Sequence, residues 1–103
     1  MAIAEISIVP LGTETPSLSK YVARAVKVLQ QEKELKYEIT SMGTIIEGDL
    51  DKILMVAKKM HEEVFAEGVA RVITVIEIDD RRDKALSMSG KVNSLKAKLA
   101  QVK

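Results

Sequence analysis

Nine residues in the middle of the chain, Ser41-Met42-Gly43-Thr44-Ile45-Ile46-Glu47-Gly48-Asp49, constrain the fold more than any other stretch. Two short extended runs, Tyr37 to Met42 and Thr44 to Glu47, flank Gly43. A glycine at that joint permits the positive φ of a tight hairpin. Gly48-Asp49 then ends the second run and opens a helix, with Asp49 as the expected N-cap. A hairpin set between two helical segments, each with a further strand beyond it, predicts two βαβ halves joined at their middle. The same stretch concentrates polar chemistry. Ser41, Thr44 and Glu47 are expected to lie close together beside free turn amides, and this is where a small-molecule site is predicted.

The flanking segments agree. Ala2 to Val9 alternates as a strand, with Ala4, Ile6 and Ile8 on one face and Ile3, Glu5, Ser7 and Val9 on the other. Pro10-Leu11-Gly12 is expected to end it, and either Thr15 or Ser17 to cap the helix that follows. Leu18, Tyr21, Val22, Ala25, Val26 and Leu29 form one helical stripe. The second helix runs from about Leu50 to Ala66, with Gly68 as the C′ residue beyond it. Its inward stripe reads Leu50, Ile53, Leu54, Ala57, His61 and Val64, which places the single histidine on an apolar face. Arg71 to Asp80 is the last strand and carries apolar residues on both faces, so neither is expected to stand fully in water.

The order β-α-β-β-α-β predicts an α+β fold of the ferredoxin-like, split βαβ kind, an antiparallel sheet with two helices on one face. A C-terminal helix follows. Its Met88, Val92, Leu95, Leu99 and Val102 are spaced 4, 3, 4 and 3, the narrow seam of an oligomer contact. The open sheet face, with Ile3, Val9, Ile73 and Val75, is expected to be covered by another subunit.

Composition narrows the function. The 103 residues suit one domain spanning 1–103, and the net charge of +1 lacks the basic footprint of a nucleic-acid binder. Tyr21, Tyr37 and Phe65 are the only aromatics, too few for base-stacking platforms. With no cysteine there is no thiolate nucleophile, disulfide or cysteine metal site. No apolar run approaches the ~20 residues of a membrane span, and no signal-peptide pattern opens the chain, so a cytoplasmic protein is expected. The lone histidine argues against a dedicated metal centre, and neither a nucleophile elbow nor a phosphate-cradling loop is present. These absences point away from an enzyme and from a resident cofactor.

Four separated motifs resemble the small thiamine-binding protein family. They are Gly12-Thr13-Glu14-Thr15-Pro16-Ser17-Leu18-Ser19-Lys20-Tyr21-Val22, Met42-Gly43-Thr44-Ile45-Ile46-Glu47-Gly48-Asp49, His61-Glu62 and Ile78-Asp79-Asp80-Arg81-Arg82-Asp83-Lys84. The resemblance spans nearly the whole chain. It implies a ferredoxin-like subunit, a tetramer built as a dimer of dimers, and non-catalytic binding of thiamine or its hydroxymethylpyrimidine precursor. Ser17, Tyr21, Ser41, Thr44, Glu47 and His61 are the candidate ligand-binding residues. Glu47 would pair with the aminopyrimidine or offset the thiazolium charge; Ser41 and Thr44 would hydrogen-bond the same polar edge; Tyr21 would offer an aromatic face. An oligomeric regulatory module of the amino-acid-binding type is the second reading.

Overall fold

The computed structural model describes residues 1–102. In chain order the elements are β1 (Ala2–Leu11), α1 (Ser19–Gln30), β2 (Lys36–Ile39), β3 (Thr44–Gly48), α2 (Leu50–Phe65), β4 (Arg71–Asp79) and α3 (Met88–Leu99). The strands form one sheet in the order β2-β3-β1-β4, with every neighbouring pair antiparallel. This is the expected ferredoxin-like α+β plan with an added C-terminal helix.

The pleat sorts the strand residues. Ala2, Ala4, Ile6 and Ile8 of β1 turn toward the helices and join Ile46, Leu29, Ile53, Val56, Met60 and Val64 in the core. Each such large aliphatic chain contributes about 1.5–3 kcal/mol by leaving water. On α2 the buried stripe is Ile53, Val56, Ala57, Met60 and Val64, rotated from the expected one so that Leu54 is exposed and His61 half-buried. The helix packs on α1 as well as on the sheet, and that contact turns its buried side toward Val56 and Met60.

The caps are unequal. Asp49 accepts from the Lys52 amide at 3.4 Å and opens α2 as expected. Helix α1 begins at Ser19 with Leu18 as its N-cap, and no side chain caps it, so neither Thr15 nor Ser17 takes that role. Gly68, three residues past the end of α2, has the left-handed φ of +87° that only glycine adopts freely.

The hairpin departs from expectation in an informative way. Gly43 does not take a positive φ. Strand β2 stops at Ile39, and Thr40 holds the turn: its amide and its Oγ1 both donate to the Gly43 carbonyl, at 2.9 and 2.8 Å. The Met42 and Gly43 amides donate back to Thr40 Oγ1 at 3.3 and 3.1 Å. Gly43 is required for closeness instead, since a Cβ there would meet the Ile6 carbonyl oxygen at 2.9 Å.

β1 also runs two residues further than expected, through Pro10 to Leu11, held there by β4 alone. β3 begins opposite Ile6, so past that point one edge of β1 has no partner strand. A proline without an N–H is tolerated in such a position.

Helix α3 buries none of its side chains. Its first turn lies over one end of the open sheet face, where Lys91 Nζ donates to Asp79. The radius of gyration is 15.6 Å, against about 13 Å for a compact chain of this length.

Candidate functional site

The unequal lengths of β1 and β3 cut a notch into the sheet. β1 pairs with β3 only from Ala2 to Ile6, and Ser7–Val9 then face the Thr40–Gly43 turn and the start of α1. The resulting cleft has a volume of about 360 Å³, inside the range of small-molecule sites. Leu18, Val22 and Val26 of α1 and Met60 of α2 supply apolar wall, while Thr40, Ser41 and Thr44 supply hydroxyls.

Backbone adds a second kind of polar group. In an antiparallel strand, alternate residues turn both N–H and C=O to the same edge. The Ile6 carbonyl points at Gly43, so Ile8, two residues on, presents its own N–H and C=O to the notch. No strand partner meets Ile8 on that side. A donor and an acceptor therefore stand side by side beneath an apolar wall.

Thr44 is 3% exposed and lies on the helix side of the sheet, paired in register with Ile6. Its hydroxyl takes no part in the turn, whose side-chain bonds all come from Thr40. Ser41 sits exposed at the tip of the turn and reaches the same cleft.

The other four candidates lie elsewhere. Glu47 is three residues from Thr44 on one strand, so the period of two turns it to the opposite face. At about 3.3 Å per residue it is also some 13 Å along β3 from Gly43. The convergence expected of Ser41, Thr44 and Glu47 therefore holds for the first two only. Ser17 is exposed in the loop before α1, its Oγ 3.4 Å from that of Ser19. Tyr21 is 6% exposed within the core, with Lys20 Nζ 5.1 Å from its ring centroid. His61 is half-buried, its Nδ1 2.6 Å from Thr74 Oγ1 and its ring edge-on to Phe65. Leu18, Val22 and Met60, immediate neighbours of Ser17, Tyr21 and His61, line the cleft in their place.

The charged turn after β4 is closed on itself. Arg81 donates to both Asp83 oxygens at 2.5 and 2.8 Å, which holds that carboxyl below its ordinary range, and Arg82 pairs with Asp80. Among the described residues no group of three or more His, Cys, Asp or Glu side chains is arranged to hold a metal ion. No helix there is long and apolar enough to cross a membrane.

The comparisons with known proteins agree with one another. The family model described as thiamine-binding protein matches residues 4–96. The UPF0045 protein YqgV of Bacillus subtilis (strain 168) is 48% identical over 92% of this chain and 94% of its own. A UPF0045 protein of Methanothermobacter thermautotrophicus is 45% identical over 96% and 100%. Among solved structures, protein MJ1052 of Methanocaldococcus jannaschii superposes with a TM-score of 0.85 at 41% identity, covering 92% of this chain and 95% of its own. The cleft-lining segments from Leu18 to Met60 fall inside the matched region, and the chain belongs to the thiamine-binding protein family.

Proposed function

We propose that this protein binds thiamine or hydroxymethylpyrimidine without transforming it, in the notch beside β1, as a cytoplasmic carrier, buffer or sensor. The free edge of Ile8 is the observation that carries the reading. An aminopyrimidine offers an exocyclic amino donor next to a ring-nitrogen acceptor, and the strand edge offers the complementary acceptor and donor. The flat ring then lies against Leu18, Val22 and Met60, and Thr44 and Ser41 meet the remaining polar positions. Specificity falls on the pyrimidine, because polar groups unpaired in a buried cleft are what discriminate between ligands.

Calorimetric titration tests this directly. Thiamine and hydroxymethylpyrimidine should each bind and compete for one site, and the isolated hydroxyethylthiazole should not bind. Saturable binding of the thiazole alone, with none of the pyrimidine, overturns the assignment.

The same reading includes assembly. At the end of the open face away from α3, Ile73 and Val75 are exposed beside Val9, and α3 exposes Val92, Leu95, Leu99 and Val102. Large apolar groups gathered in this way mark a protein–protein surface. A second copy covers that end of the sheet face, and Leu95, Leu99 and Val102 of α3 join two such dimers into a tetramer.

A further inference from the structure

The open face of the sheet holds a second hollow, about 400 Å³ in volume, between the β2–β3 pair and the first turns of α3. Glu47 projects into it and is only 7% exposed. Lys36 stands directly opposite Glu47 in the β2–β3 register, and Glu38 follows on the same face. Opposite charges placed so on neighbouring strands lie close enough to pair. Yet among the described residues no ion pair involves Lys36, Glu38 or Glu47. The Glu47 stem is buried while its carboxylate opens onto the hollow, where a cation or donor can meet it. Above the charges, Met88 and Val92 stand one turn apart on α3 and form an apolar wall, with the Asn93 amide beside them.

We propose that this hollow binds a free α-amino acid with an apolar side chain. The ammonium group pairs with Glu47, with Glu38 as a second acceptor, and the carboxylate pairs with Lys36. The unclosed Glu47–Lys36 pair leaves room for a ligand carrying both charges on one carbon. Its side chain rests against Met88 and Val92, and Asn93 hydrogen-bonds the remaining polar edge. A divalent cation fits worse, since Lys36 stands where a further acidic ligand would be needed. The site is on the opposite face of the sheet from the notch, so it does not depend on the thiamine reading.

The test is calorimetry on the full chain with L-leucine and its two half-ligands, 3-methylbutylamine and 4-methylpentanoate. Leucine should bind saturably, and each half-ligand at least about tenfold more weakly, since each lacks one charge-assisted contact. Glu47→Gln and Lys36→Met should each weaken leucine by at least about tenfold, with thiamine affinity unchanged. The Lys36 side chain is exposed, so its variant keeps the test valid should Glu47→Gln unfold. Absence of saturable binding by leucine, methionine and valine at millimolar concentration overturns the proposal. So does an amine that binds as tightly as leucine, or Mg²⁺ that binds in its place.

Discussion

Thr44 and Glu47, three residues apart on β3, stand on opposite faces of the sheet, Thr44 paired with Ile6 and Glu47 with Ile3 and Lys36. One strand thereby serves two hollows. The helix-side notch takes Thr44, and the hollow beneath α3 takes Glu47. The sheet between them keeps their chemistries apart.

Gly43 sets the depth of the notch. A Cβ at this position would meet the backbone oxygen of Ile6 at 2.9 Å, and a backbone atom cannot swing aside as a side-chain end can. Gly43→Ala should push the turn away from β1, at an overpacking cost of about 1–3 kcal/mol. Denaturant melts should register that loss together with weaker thiamine binding. An unchanged midpoint would show that the turn does not press on β1.

Thr40 ties the turn through its hydroxyl, which donates to one carbonyl and accepts from two amides. Thr40→Val keeps the shape and removes those bonds, and Thr40→Ser keeps the hydroxyl. The valine variant should lose about 0.5–1.5 kcal/mol, the net worth of a typical hydrogen bond. Amide exchange at Met42 and Gly43 should quicken in it and stay slow in the serine variant. Equal exchange in both would contradict the assignment.

The helix caps give a paired prediction. Asp49→Ala should destabilise the protein by about 1 kcal/mol, because it removes the acceptor for the Lys52 amide. Ser17→Ala should change stability by less than about 0.5 kcal/mol, since α1 takes no side-chain cap. Equal losses in thermal melts would place a cap at Ser17 after all.

Much of this was legible as local pattern. The order of elements, the Asp49 cap and the alternation of β1 follow from neighbouring residues alone. The split between Thr44 and Glu47 could have been read there and was not: the expected convergence overlooked that a separation of three along a strand reverses the face. The notch was not legible. It exists because β3 begins opposite Ile6 while β1 continues to Leu11 with β4, and register between distant strands is fixed by tertiary packing. Val56 and Met60 escaped the reading of α2 for a related reason, because its contact with α1 as well as the sheet sets which way the stripe is turned.

His61 and Thr74 should be coupled. Their 2.6 Å hydrogen bond joins α2 to β4 in a half-buried position. A double-mutant cycle with His61→Leu and Thr74→Val should give an interaction energy of about 0.5–1.5 kcal/mol. Additivity within about 0.3 kcal/mol would show that the contact does not contribute. His61→Lys should destabilise more strongly, because it drives a charge toward the core.

Assembly is testable by size. Ending the chain before Ser87 removes α3 and its exposed seam. Light scattering should then show a species smaller than the tetramer proposed for the 103-residue chain. A full-length protein that is monomeric at micromolar concentration would contradict both the seam and the sheet contact.

The most direct test of the notch is a thiamine titration on two variants of the same strand. Thr44→Val keeps the shape of the wall and removes the hydroxyl; Glu47→Gln keeps its shape and removes the charge on the other face. A lost neutral hydrogen bond should weaken thiamine binding by roughly 2- to 12-fold in Thr44→Val. Glu47→Gln should bind thiamine as the parent does. If Glu47→Gln loses thiamine while Thr44→Val retains it, the ligand sits on the open face beneath α3 and the notch is not the thiamine site.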